Sequence, residues 1–372
     1  MRRHVFAAGA GLLAASTVVW FSAVPAEAQT RTPAPKAKTS QTWTPARTPW
    51  GDPDISGNFS NKYEIGTPFE RPREFEGRRI EDFSPAELTE LAKERQERNL
   101  LNYPHNGGEA DPGGGLGGPN YWGDRFEISK GSRPWFVVDP PDGKIPPLTD
   151  QARQRARARA ETRRQAEERP ASSWDEWRDH QNMTLYDRCI TRGLPNSMMP
   201  ASYGNSYRIL QTPDYVAIQY EMVHETRVIP LDKNPHLPSA IRQYMGDGRG
   251  HWEGNTLVVE TTNFKPESSY RGSNADGLKM IERFTRIAPN VVEWKVTVED
   301  PTTWVRPWTY AMPLTKSDRE AIVEYACHEG NISMPLRLGA GRAEELEREE
   351  AARKGIKLPP RERFSDEFGG QR

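Results

Sequence analysis

The chain has 372 residues, with 51 Lys and Arg against 52 Asp and Glu, a formal net charge of -1, and 35% hydrophobic and 28% charged residues. A balance this close to neutral excludes nucleic acid and anionic membranes as partners recruited by charge. Even with its 30 glycines counted in, the apolar share stays under the ~45–50% of an ordinary globular chain. That is enough for one sizeable core beside long stretches that do not join it.

Residues 1–28 read as a secretory signal peptide. Arg2 and Arg3 form a basic start, the run 5–24 is apolar, and Ala26-Glu27-Ala28 is a small-x-small cleavage site, which places the mature start near Gln29. The competing reading is a single membrane anchor, since about 20 apolar residues can just span a bilayer; the Ala/Gly-rich run and the A-x-A site favour cleavage. Cleavage removes Arg2, Arg3 and Glu27 and moves the formal charge from -1 to -2. With no second apolar run, no membrane insertion is expected after cleavage, and the expected location is the periplasm or outside the cell. The two cysteines, Cys189 and Cys327, then pair most simply as a disulfide. The rival, Cys327 activated by His328, is weakened by adjacency, which puts the two side chains on opposite faces of a strand.

Along the chain, 29–48 is a flexible Thr/Pro/Lys/Ala leader. Residues 49–200 read as an irregular N-terminal region with a short strand near Tyr63, two polar helices and a glycine-rich loop. The first helix opens at Ser84-Pro85-Ala86-Glu87, with serine at the N-cap, proline at N1 and glutamate at N3, and runs to about Asn99. The loop 105–124 lacks the GK[ST] ending of a phosphate loop; it reads as either a cover over a pocket, with Tyr121 and Trp122 touching a ligand, or an irregular connector. A strand at 135–139 and a turn at 140–143 precede the second helix, capped by Thr149, with Arg and Glu around its whole surface.

Residues 201–336 carry the β signal. Alternating segments at 207–211, 215–223, 227–229, 251–252, 256–262, 280–287, 291–299, 304–312 and 321–327 are separated by breakers, among them a tight turn at 246–250. The fold expected is mainly β, an antiparallel meander closed as a lipocalin-like barrel or a sandwich, with the polar helices at its periphery. Residues 337–372 form a charged helix and tail.

Several strings, VVDPPDGKIPPLT at 137–149, DRCI at 187–190, LQTPDYVAIQYEMVHETRVIPLD at 210–232, GDGRGHWEGNTLVVETTNF at 246–264 and EYACHEGN at 324–331, are similar to a large group of exported bacterial proteins of uncharacterised function. The resemblance implies export and a shared fold and brings no reaction or catalytic residue with it. The strand order and Gly57-Asn58-Phe59 also loosely resemble lipocalin-like barrels; Phe59 stands where their Gly-x-Trp has tryptophan.

Two constellations carry candidate chemistry. Trp304, Arg306, Trp308, Tyr310 and Met312 share one face of a strand, which reads either as an aromatic pocket wall with Arg306 anchoring a carboxylate, or as an outward stripe. His224, Glu225 and Arg227 stand at a strand break, and Glu324, His328 and Glu329 near the last strand. If these ends meet, His224, His328 and Glu324 read as an acid/base cluster or as plain surface, hydrogen-bonding residues; two His and two Glu could hold a metal, but neither pair has metal-ligand spacing, so none is expected. Glu282 and Arg283 are adjacent, so one of them faces the interior, with Glu324 or Arg306 as candidate partner. Serine-hydrolase elbows and Rossmann fingerprints are absent, and no cofactor is expected. The reading is an exported protein that binds a hydrophobic or aromatic small molecule. Conversion by a cofactor-free lyase, isomerase or hydratase reaction, plain carriage of the ligand, and an envelope interaction role all stay open.

Overall fold

The computed structural model describes residues 43–101, 133–168, 183–201, 203–317 and 322–358. Its centre is a ten-stranded antiparallel sheet: β1 (Gly57–Ser60), β2 (Val137–Asp139), β3 (Ser206–Gln211), β4 (Tyr215–Tyr220), β5 (Thr226–Pro230), β6 (Asp247–Glu253), β7 (Thr256–Thr262), β8 (Lys279–Ala288), β9 (Val291–Glu299) and β10 (Trp308–Lys316). The spatial order is β5-β4-β3-β1-β10-β9-β8-β7-β6, with β2 on the first half of β10. Two meanders, β3 to β5 and β6 to β10, are thus joined through β1, which pairs Phe59 with Tyr207 on one side and with Lys316 on the other.

The sheet is mainly β and antiparallel, as the alternation indicated, and it curls until its two end strands meet. No ladder joins β5 to β6. Instead, a Cβ placed on Gly250 would lie 2.8 Å from Leu231 Cδ2 and 2.9 Å from Ile229 Cγ2, and one on Gly248 would lie 3.0 Å from the Arg227 guanidinium. The expected tight turn at 246–250 is a correction: only Gly246 turns, at φ +69°, and from Asp247 the chain is strand. The glycines at alternate positions strip one face of β6 of side chains, and that bare face is what lets the β5 side chains cross.

The interior is packed. Tyr207, Tyr220, Phe284, Trp294, Trp308 and Tyr310 are fully buried and belong to one continuous core. On β9 the alternation is complete, with Val292, Trp294, Val296 and Val298 inside and Glu293, Lys295, Thr297 and Glu299 outside. Ile55, Phe69, Phe136, Leu194 and Met198 join the same core, so the region before residue 200 packs into the barrel.

Helices α1 (Pro85–Leu101), α2 (Asp150–Glu168) and α3 (Ser333–Arg353) lie outside the sheet. The α1 cap forms as its sequence specifies: the Glu87 N–H donates to Ser84 Oγ at 3.3 Å, and the Glu87 carboxylate accepts from the Ser84 N–H at 2.8 Å, from Arg78 and from the Ser84 hydroxyl at 2.9 Å, which together lower its pKa to about 2. α1 turns Leu88, Leu91 and Ala92 inward on one face, and buried Arg95 on that face donates through its guanidinium to the carbonyls of Arg133 and Pro134 at 2.8 Å each. The Cys189–Cys327 disulfide forms, with Cα atoms 5.7 Å apart. A second correction concerns 321–327: residue 321 lies outside the described residues, 322–327 are not a strand, and among the described residues β10 is the last strand.

Candidate functional site

The structure separates the residues that the sequence grouped. Asp300 caps a turn, accepting from the Thr302 N–H at 2.9 Å and, through its backbone carbonyl, from the N–H groups of Thr303 and Trp304. The turn interrupts the two-residue period before β10 begins. Trp304, Trp308 and Tyr310 therefore enter the core, while Arg306 swings out, exposed, and pairs with Asp139 at 3.2 Å. The aromatic wall exists, but as core packing: Trp308 meets Trp304 edge-on at 5.6 Å and Phe69 at 5.9 Å.

His224 is exposed and held at φ 43°, with its Nδ1 3.0 Å from the Tyr325 carbonyl. The two chain ends do meet there, yet no hydrogen bond or ion pair joins the side chains of His224, His328 and Glu324, and the latter two are exposed. Burial raises the pKa of Glu225 at this end, partly offset by a 2.5 Å hydrogen bond from the Thr191 hydroxyl, and it raises that of Tyr325 as well. Tyr121 and Trp122 lie outside the described residues.

Of the adjacent pair on β8, Glu282 faces inward and Arg283 outward to Glu253 at 2.7 Å. The partner of Glu282 is neither Glu324 nor Arg306. It is Arg227 on β5, with NH1 and Oε2 2.6 Å apart and both side chains buried. Trp294 Nε1 donates to the other Glu282 oxygen at 3.1 Å, and Arg227 donates to Thr261 Oγ1 at 2.8 Å. Tyr220 and Tyr310 complete this polar patch, and desolvation raises the pKa of both phenols, holding them neutral. Within the patch Arg227 also meets the Tyr220 hydroxyl and Tyr310 meets Tyr270, while Arg227 Nε and Trp308 Nε1 have no hydrogen-bond partner.

Outside the β5–β6 seam lies a cleft of about 600 Å³. Leu231, Pro235, Gly250 and Trp252 supply its apolar surface, and Lys233, His236, Arg249 and Glu260 its polar one. The 231–238 segment that forms one wall is pinned by Asp247, which takes His236 Nδ1 at 3.0 Å and the Leu237 N–H at 2.8 Å. His236 Nε2 lies 3.4 Å from Glu260, whose carboxylate also meets Lys279 at 2.6 Å. Burial alone raises the Glu260 pKa; Lys279 and His236 outweigh it and lower the pKa below the ordinary carboxylate value. Asp232 is engaged by Asn234 and Arg249. The cleft carboxylates Asp232 and Glu260 are thus both engaged, and Arg249 pairs with Asp247 as well at 3.4 Å, whereas Arg249 Nε and Trp252 Nε1 are buried without a hydrogen-bond partner. The sequence reading did not single out His236, Asp247 or Arg249. The alternating glycines at 246, 248 and 250 were the available signal, because a strand face without side chains marks a close approach.

These observations define a filled antiparallel barrel with a side cleft at its one seam without a ladder. No family model matches the chain, and no curated protein matches it. Among solved structures, the crystal structure of a mutant of the fluorescent protein UnaG matches with 12% identity over 40% of this chain and 90% of its own, at a TM-score of 0.20; a score that low carries no argument about fold or ligand.

Proposed function

We propose that this protein is exported and binds a small aromatic or polycyclic molecule bearing a carboxylate or carbonyl, in the cleft beside β6. The single observation that carries this reading is a pair of buried donors over an apolar floor: Arg249 Nε and Trp252 Nε1 have no hydrogen-bond partner at the cleft. An acceptor-rich, flat ligand satisfies such a surface, with its ring on Trp252 and Leu231 and its anionic group toward Arg249. A volume of about 600 Å³ suits a drug-sized molecule. The Cys189–Cys327 disulfide and the reading of residues 1–28 as a signal peptide support a periplasmic or extracellular site of action. Among the described residues no helix is long and apolar enough to cross a membrane.

Isothermal titration of the mature chain from Gln29 with 2-naphthoate tests this, alongside Trp252→Ala and Arg249→Ala. Micromolar to millimolar binding weakened at least tenfold by either change is expected; equal affinity in both variants would overturn the reading.

Conversion of the ligand is the second reading, and the observation behind it is His236, a titratable ring at the cleft fixed by Asp247. Its test is deuterium uptake into bound arylacetate in D₂O: exchange lost in His236→Asn supports acid/base work, and no exchange in the native protein leaves a carrier.

A further inference from the structure

The end of the barrel where β3 starts and β4 stops holds a cation that no carboxylate neutralises. Arg192 is half-buried, its Nη1 is shielded from solvent, and its guanidinium makes no hydrogen bond or ion pair among the described residues. The carboxylates of this end are engaged elsewhere. Asp187 meets Arg337 at 2.9 Å, Glu225 accepts from the Thr191 hydroxyl at 2.5 Å, and Glu221 accepts from the Ser206 N–H at 3.1 Å. A charged side chain drawn out of water is ordinarily paired, so the empty acceptor side of Arg192 calls for a partner from solution.

Tyrosines surround it. The guanidinium carbon lies 5.7 Å from the Tyr186 ring centroid, and the rings of Tyr203 and Tyr325 stand 6.0 Å apart at a tilt of 33°. The hydroxyls of Tyr186 and Tyr325 both meet that of Tyr203, and the Arg192 charge acts on Tyr186, Tyr207 and Tyr325, which places it among them. Burial outweighs that charge and raises the pKa of Tyr186 and Tyr325, so both remain neutral hydroxyls at pH 7. The disulfide assembles this group: Tyr186 lies just before Cys189 and Tyr325 just before Cys327, and His224 Nδ1 holds the Tyr325 carbonyl at 3.0 Å.

We infer that Arg192, Tyr186, Tyr203 and Tyr325 form a binding site for an oxyanion, the carboxylate or phosphate group of a small molecule. A planar guanidinium takes two oxygens of such a group side by side, and phenol hydroxyls donate to the others. None of the four residues lines the cleft beside β6, so this is a second site, independent of the first. Leu194 and Met198, buried at 1% and 0% exposure, fill the barrel at its core, which keeps the ligand at the mouth, a common place for small-molecule sites in β-barrels.

Calorimetric titration of the chain from Gln29 with sodium phosphate and with sodium acetate, at pH 7 and an ionic strength held constant with sodium chloride, tests this. At least one of the two ions is expected to bind in the millimolar range or tighter, and the tighter one names the group. Arg192→Gln is expected to weaken that binding about tenfold or more, whereas Arg192→Lys, which keeps the charge and loses the fork, is expected to weaken it less. Tyr203→Phe, which removes one hydroxyl, is expected to cost about threefold to tenfold with little change in melting temperature, and it carries the test if the Arg192 variants do not fold. No heat from either ion, or equal affinity in the native protein, Arg192→Gln and Tyr203→Phe, would overturn the inference. Binding lost in Arg249→Ala but kept in Arg192→Gln would overturn it as well, placing the ion in the cleft and leaving the cleft reading intact.

Discussion

Glu282 and Arg227 come from strands that are far apart in sequence and face each other across the barrel. Each is desolvated, and their attraction is realised only because both are present. Removing one leaves an uncompensated buried charge, so Glu282→Leu should lower unfolding free energy by about 3–5 kcal/mol, whereas the double variant Arg227→Met/Glu282→Leu should recover most of that loss. Urea unfolding of the three proteins checks it; a double variant no more stable than the single one would mean that the pair holds the strands by geometry as well as charge. Glu225 behaves differently. Its folded-state pKa is raised above the ordinary value of 4.5 by burial, so its contribution to stability is fully present below about pH 4.5 and is lost as pH rises through the folded pKa. Glu225→Gln, which keeps an acceptor for Thr191, should therefore match the native protein in acid and be the more stable of the two above that range. Thermal melts from pH 4 to 8 read this directly; a native protein that gains on the variant with rising pH would reverse the sign.

At the scale of elements, the seam and the disulfide are the two non-ladder closures. On β6, Gly250 is a position where volume decides: its Cβ site is 2.8 Å from Leu231 and 2.9 Å from Ile229, both movable side chains, so Gly250→Ala should cost about 1–3 kcal/mol through overpacking without backbone strain. A neutral result in denaturant titration would show that β5 gives way freely. The disulfide joins the 183–192 segment to the irregular stretch after β10, across 138 residues. In the chain-entropy account a loop of that length is worth up to ~5 kcal/mol, and Cys189→Ser/Cys327→Ser should approach that loss. His224 to the Tyr325 carbonyl, Asn331 to the Cys189 sulfur and Arg337 to Asp187 also tie this end down, so limited proteolysis of the double variant should cut first between residues 322 and 332.

For the molecule as a whole, one core runs from Ile55 to Leu314, and the region before residue 200 contributes strands β1 and β2 as well as the plug residues Leu194 and Met198. Local chemistry made much of this legible in advance. The Ser84–Glu87 cap, the hairpin breakers around Pro289 and the strict alternation of β9 each depend on neighbours within a few residues, so sequence alone determined the antiparallel β class and most strand positions. The pairing of Cys189 with Cys327 was readable because the chain holds two cysteines. What sequence could not decide is anything that turns on where an alternating face points. Trp304 to Tyr310 reads the same whether the stripe is wall, pocket or surface, and the Asp300 turn settled it by breaking the period ahead of β10. The partner of Glu282, 55 residues away in the chain, was equally invisible, since a buried charge specifies that a counter-charge is needed and not which strand supplies it. The cleft arose in the same way: Asp247 and Arg249 on β6, His236 in the preceding segment and Glu260 on β7 carry no spacing motif, and they meet only because bare glycines let β5 and β6 touch. Periodicity is encoded residue by residue, whereas inside and outside, partner and seam are properties of closure, which only the tertiary structure fixes.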